Sequence, residues 1–169
     1  YQGRYTDAIN EVLDLEKKTI VHIPNVNSGE STKDKIEEVG FIIDTIGDVV
    51  DTEPGTGIIR LRRDNGEIVR VADLVDDSDQ KKRADTLHYL STVGAKDRDS
   101  VDVIIALGMA KEGFDWPFAE HALTVGYRAS LTEVIQIIGR VTRDSPGKTH
   151  AQFTNLIAEP DASQGEVKV

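Results

Sequence analysis

The chain reads as an α/β domain built on an open, mostly parallel sheet with helices on both faces. Two observations predict it. Strand-length runs rich in β-branched residues alternate with helix-length amphipathic segments along most of the sequence. In addition, Val101-Asp102-Val103-Ile104-Ile105-Ala106-Leu107 is almost continuously apolar, the pattern of a strand buried on both faces.

Taken in order, Thr6 to Glu16 carry Ile9, Val12 and Leu13 at helical spacing, which predicts a short amphipathic opening helix. Lys18 to Ile23 reads as a buried strand stopped by Pro24. Asn25-Val26-Asn27-Ser28-Gly29 follows as a polar loop at its carboxyl end, where open α/β sheets bind ligands. The same residues also serve as ordinary turn formers. Ser31 or Thr32 caps the next helix, which places Ile36, Val39 and Ile43 on one face.

Gly47 to Gly57, with Pro54, reads as a loop. Asp64-Asn65-Gly66 then joins two β-prone runs, Ile58 to Arg63 and Glu67 to Leu74, a strong hairpin signal. The second arm is expected to continue as a core strand and the first to be an added edge strand, with 57–72 as a hairpin insertion. Arg60, Arg62, Arg63 and Arg70 cluster there, either as aggregation guards on an edge or as contacts to a phosphate backbone. From Asp77 or Ser78 a helix is predicted to about Leu90, with Ala84, Leu87 and Leu90 inward and Lys81, Lys82 and Arg83 outward. After Val101 to Leu107, His121 to Tyr127 and Thr149 to Ala158 supply further strands, and Glu159 to Val169 carries no firm signal.

Composition narrows the classes. A length of 169 residues suits one domain with a real core, and 1–169 is read as that single domain. A formal net charge of −10 argues against a surface that grips nucleic acid everywhere, while leaving room for a local basic track. Zero cysteines remove disulfides, thiolate metal sites and thiol catalysis together. The longest apolar runs are strand-sized, so no membrane partner is expected and a cytoplasmic location is. Tyr1-Gln2-Gly3 reads as a cut within a longer protein. His22, His88, His121 and His150 lack metal-ligand spacing, and no metal site is predicted.

Two stretches carry chemistry. Gly108-Met109-Ala110-Lys111-Glu112-Gly113-Phe114-Asp115-Trp116-Pro117 follows the apolar strand. Gly108 breaks the run and frees backbone amides that suit a phosphate, while Gly113 and Pro117 bracket Asp115 in a turn aimed at the strand's carboxyl end. In the second stretch Ser130 and Glu133 form a capping box ahead of a helix. On that helix Gln136, Gly139, Arg140 and Arg143 share one face, and Leu131, Val134, Ile135 and Ile138 form an apolar stripe on another. Paired guanidiniums beside a glycine suit a polyphosphate, because each offers a planar fork of donors and keeps its charge.

Residues Ile105 to Pro117 resemble motif V, and Gln136 to Arg143 resemble motif VI (Q-x-x-G-R-x-x-R), of superfamily 2 helicases and translocases of the DEAD/DEAH type. The order of elements is similar to their second, C-terminal RecA-like domain, and the Lys111 to Pro117 turn is similar to restriction-enzyme motor subunits. The resemblance implies a P-loop NTPase-like fold without its own P-loop. It implies that Arg140 and Arg143 are arginine fingers toward ATP and Mg2+ held mainly on an N-terminal RecA-like partner, with Gln136 in the same cleft. Gly113, Asp115 and Gly139 would approach the nucleotide. Asn25, Asn27, Gly108 and Met109 would meet the nucleic-acid backbone, DNA with RNA not distinguished. The family often has threonine where this chain has Leu107 and aspartate where it has Gly108, which leaves backbone amides for that contact.

Gly147-Lys148-Thr149 resembles the end of a P-loop, but Thr142 stands where its first glycine belongs, and no Asp-Glu pair occurs. The chain is therefore expected to be half of an ATPase site, inactive by itself. The alternatives are a RecA-like binding module without catalysis and, less well matched to the arginine spacing, a flavodoxin-like small-molecule domain.

Overall fold

The structure, a computed structural model, describes residues 9, 13, 16–23, 32–76, 79–107, 116–125, 152–156 and 166–168. Their strands are β1 (Lys18–Ile23), β2 (Asp48–Thr52), β3 (Ile59–Arg62), β4 (Ile68–Asp73), β5 (Val103–Leu107), β6 (Ala119–Val125), β7 (Gln152–Leu156) and β8 (Glu166–Lys168). The helices are α1 (Thr32–Ile46) and α2 (Gln80–Tyr89), the latter followed by a π-helical turn, Leu90–Gly94.

All eight strands form one sheet in the order β2-β3-β4-β5-β1-β6-β7-β8. The run β4-β5-β1-β6-β7 is parallel throughout, and β2, β3 and β8 add antiparallel to its two ends. This is the expected α/β class.

The path through the sheet explains why both faces are covered. From β1 the chain moves outward to β4, then turns back to β5. Right-handed crossovers in opposite directions put their helices on opposite faces. Two cores result. Val21, Ile23, Val103, Ile105 and Leu123 pack with Val39, Ile42, Ile43 and Ile46 of α1. Ile20, Ile104 and Ala122 pack on the other side with Leu87, Tyr89 and Leu90. Ile9 and Leu13 join the first core, with the Leu13 amide donating to the Ile9 carbonyl at 2.9 Å; of the expected opening helix, Glu16 lies in a turn and the other residues lie outside the described ones.

Several expectations need correction. The stretch read as a loop contains β2, whose residues are mostly exposed and so show no apolar periodicity. Pairing with β3 creates this strand: Arg60 forms a bidentate ion pair with Asp51, its register partner. The edge is therefore β2, not β3, and β4 belongs to the parallel core through β5. On α2 and the turn after it, Leu87 and Leu90 turn inward as expected, but Ala84 does not. Ala84 is exposed, while Thr86 is buried and donates to the Thr56 and Lys82 carbonyls, both at 2.9 Å. Asp79 caps the helix by accepting from the Lys82 amide at 3.0 Å. The unsignalled tail supplies β8.

The hairpin turn is three residues with a glycine bulge. Gly66 has φ +87°, and its amide donates to the Arg63 carbonyl. Gly57 carries a heavier constraint. Its φ is +69°, and a Cβ there would fall on Thr86 Oγ1 and lie 3.1 Å from Lys82 Cγ. Gly55 has a similar φ of +82° with no heavy atom within 4 Å of its would-be Cβ. Gly55→Ala should therefore cost only the left-handed strain, about 1–2 kcal/mol. Gly57→Ala should cost about 1–3 kcal/mol more through overpacking. Urea unfolding of both variants checks this, and equal midpoints would contradict it.

Candidate functional site

The parallel strands place their carboxyl ends along one edge. Ile23 of β1 pairs with Leu107 of β5, and Val125 of β6 pairs with Leu156 of β7. From β1 the chain departs toward β4 on one side, and from β6 toward β7 on the other. Divergence of this kind opens a crevice at the carboxyl ends, here between β1 and β6, where such sheets bind ligands.

The predicted site residues Asn25, Asn27, Gly108, Met109, Gly113, Asp115, Gln136, Gly139, Arg140 and Arg143 all lie outside the described residues. The strands fix where their segments attach. Asn25 and Asn27 follow the carboxyl end of β1, and Gly108 and Met109 follow that of β5, the neighbouring strand. The segment holding Gln136, Arg140 and Arg143 begins after the carboxyl end of β6. Asp115 differs: the residue after it, Trp116, opens a turn into the amino end of β6. The topology alone thus brings the first two segments to one edge and does not by itself add Asp115.

Described polar groups frame this edge. At the end of β4, Asp73 accepts from the Val75 amide at 2.9 Å and the Asp76 amide at 3.3 Å, closing the turn. Burial pushes its carboxyl above the usual range, an effect that the two amide bonds oppose. The Leu74 amide continues the ladder to the Ile105 carbonyl at 2.9 Å, and Arg83 of α2 donates to the Leu74 carbonyl. Arg83, read as outward, is half-buried and turned toward this strand end. Away from this edge, toward the amino ends of β6 and β7, His121 Nε2 lies 3.1 Å from Thr154 Oγ1, both fully buried.

The arginine-rich hairpin is neutralised in part. Arg60 is paired to Asp51, whose carboxyl is held below the ordinary range by that bond, and Arg70 Nη1 lies 2.8 Å from Glu53 Oε1. With two of its four guanidiniums engaged, the hairpin reads as a guarded edge more than a phosphate track. Among the described residues no group of His, Cys, Asp or Glu fits a metal ion, and no helix is long and apolar enough to cross a membrane.

Sequence reasoning missed Asp102. It lies at the amino edge and binds Lys18 Nζ at 2.6 Å through Oδ1 and the Arg70 amide at 2.9 Å through Oδ2. Its one signal was a carboxylate interrupting an otherwise apolar run.

The frame defined here is an α/β domain with a ligand-binding type of sheet edge. No protein-family model matches the chain. It is 66% identical over 163 residues to the Bacillus subtilis (strain 168) protein named "Putative ATP-dependent helicase YeeB". That match covers 96% of this chain and 26% of the relative, so the chain spans about a quarter of the relative's length.

Asp73 yields a test with a defined sign. A carboxyl whose folded pKa is raised favours folding below its unfolded pKa, and that contribution is lost as pH rises through the folded value. Asn keeps an oxygen to accept from the Val75 and Asp76 amides and removes the buried charge. Asp73→Asn is expected to equal or exceed the parent's stability at pH 7, and to lose ground to it as pH falls toward about 4. Urea midpoints at both pH values measure this; a variant weaker at pH 7 and gaining at pH 4 would reverse the assignment.

Proposed function

We propose that the chain is the C-terminal motor domain, the second RecA-like lobe, of an ATP-dependent helicase or translocase acting on nucleic acid, with DNA the favoured track. The observation that carries the reading is the 66% identity, along 96% of this chain, to a protein whose name says ATP-dependent helicase. The sheet supports it independently: its order attaches the motif-bearing segments to neighbouring strands around a ligand-binding type of crevice.

In this reading ATP supplies the phosphoryl group whose hydrolysis drives movement, and it sits with Mg2+ mainly on an N-terminal RecA-like partner domain. Arg140 and Arg143 bring guanidinium forks to the charge that develops on the transferring phosphoryl group. On the helix that the sequence predicts, Gln136 and Gly139 share their face, and Gly113 and Asp115 would approach the nucleotide from another segment. Asn25, Asn27, Gly108 and Met109 contact the nucleic-acid backbone through amides and side-chain dipoles, which read charge and spacing more than sequence. Closing and reopening the cleft moves the track one step.

In the full-length protein, Arg140→Ala and Arg143→Ala should each lower nucleic-acid-stimulated ATP hydrolysis by about a hundred-fold or more, with unchanged thermal unfolding. Turnover within a factor of about two of the parent for both variants would refute the finger roles. Asn25→Ala with Asn27→Ala should weaken nucleic-acid affinity about tenfold across a salt series and leave the salt slope unchanged, because neutral amides release no counterions. Filter binding across that series measures it, and an unchanged affinity would remove these residues from the track.

A further inference from the structure

Helix α1 buries one face and leaves the other uncovered. Val39, Ile42, Ile43 and Ile46 pack into the first core. Glu37, Gly40, Phe41 and Asp44 fall at i, i+3, i+4 and i+7, a single face on the far side. Phe41 is 48% exposed there. A Cβ at Gly40 would meet nothing within 4 Å beyond the helix's own backbone. Glycine inside a helix costs about 1 kcal/mol relative to alanine, and no described neighbour requires it here. It leaves a notch beside an exposed aromatic ring. One turn further on, Asp44 joins Asp48, Asp64 and Arg63 in the lining of a cavity of about 380 Å³. Ile46, the last residue of α1, also lines it, and no basic side chain in the last turn offsets the negative end of the helix dipole. Val49 and Val50, 55% and 41% exposed, follow Asp48 in β2.

We propose that this surface docks a basic segment from another domain of the same, longer polypeptide. The segment sets an apolar side chain against Phe41 over Gly40, and a lysine or arginine into the cavity. Charge selects the chemistry of the occupant. From Ile36 to Ile59 the sequence has six acidic residues and no Lys, Arg or His. Arg60 and Arg70 take Asp51 and Glu53, which leaves Glu37, Asp44 and Asp48 exposed on either side of Phe41. Three carboxylates against one guanidinium give the cavity a net attraction for a cation. A second copy, also at −10, is repelled. Area selects the source. Three half-exposed apolar side chains fall far short of the roughly 1,000 Å² that a free-standing complex needs. A tethered segment meets the surface at an effective concentration of about millimolar, where weak contacts suffice. The match described above covers 26% of the relative's length, so a protein of that kind has further segments to fill the surface. Asp48 pairs with Arg62, and the turn at Asp64 leads into the start of β4, so the surface lies at the amino edge of the sheet. Docking there leaves the carboxyl-end crevice open.

The experiment uses the full-length protein with the photo-reactive residue p-benzoylphenylalanine in place of Phe41. Irradiation is followed by mapping of the adducts by mass spectrometry. Mixing isotope-labelled with unlabelled protein shows whether both ends of an adduct belong to one polypeptide. The expected adduct joins residue 41 to a Lys- or Arg-bearing segment of the same polypeptide outside residues 1–169. Asp44→Lys with Asp48→Lys should lower its yield about fivefold or more, because like charges then face each other. Gly40→Gln should lower the yield similarly by filling the notch. Glutamine is the better helix former, so thermal unfolding of that variant should occur at or above the parent's temperature. The same probe at Val49 serves if the residue-41 variant does not fold. No adduct, an adduct between copies or to a separate protein, or one confined to residues 1–169 overturns the proposal. So does a yield that either the charge reversal or Gly40→Gln leaves unchanged.

Discussion

Asp102 holds the middle of the sheet in register. Its carboxylate binds Lys18 Nζ and the Arg70 amide, its own amide donates to the Arg70 carbonyl at 2.9 Å, and its carbonyl accepts from the Thr19 amide at 3.1 Å. One residue thus joins the beginnings of β4, β5 and β1, three adjacent parallel strands. The Lys18 side chain is 4% exposed, so the ammonium depends on this partner. Removing one member of a buried pair leaves an uncompensated charge, at a cost of about 3–5 kcal/mol. A side-chain period of two makes a one-residue slip exchange the faces of a strand. In β1 and β5 such a slip would exchange the residues belonging to the two cores.

This amino-edge lock governs what happens at the other end. With β1 and β5 in register from Thr19–Val103 to Ile23–Leu107, the segments after both strands start at the same height. The edge where ligands are expected can then vary its loops without loosening the frame. A second tie supports the same edge. Arg98 Nη2 donates to the Glu16 carbonyl at 2.7 Å and to Glu120 Oε1 at 3.0 Å, which joins the lead-in to β1 with β6. The amino side of the sheet is pinned by charged hydrogen bonds. On the opposite side, the described bonds at the end of β4 close turns and cap the strand.

How much of this the sequence shows depends on where each signal originates. Strands buried on both faces, β1 and β5 above all, announce themselves because burial demands apolar residues at every position. The core of α1 was legible through Val39 and Ile43, with Ile42 and Ile46 completing its face. β2 was not legible, because an exposed edge strand needs only a partner and one well-placed ion pair, and Asp51–Arg60 is visible only once the strands are set side by side. The inward face of α2 was read only in part, with Leu87 and Leu90 found and Thr86 missed, for a related reason. Thr86 is buried by its bonds to two backbone carbonyls, a polar reason that apolar periodicity does not register. For the candidate site, the motifs were legible as residues, and the structure adds the strand ends from which they depart.

The charge distribution bears on what this edge can do. A net charge of −10 repels a polyanion at long range, so a nucleic-acid track on this body must be local and short in reach. On the hairpin, carboxylates cancel two of the four arginines: Asp51 and Glu53 take Arg60 and Arg70. Arg140 and Arg143, at the other end of the sequence, are the guanidinium pair whose spacing follows the helicase motif. Pairing off stray cations leaves the acidic body to discourage phosphate binding away from the crevice. In the motor reading that is an advantage, because a lobe that releases and regrips its track at every cycle works better with few strong contacts than with many weak ones.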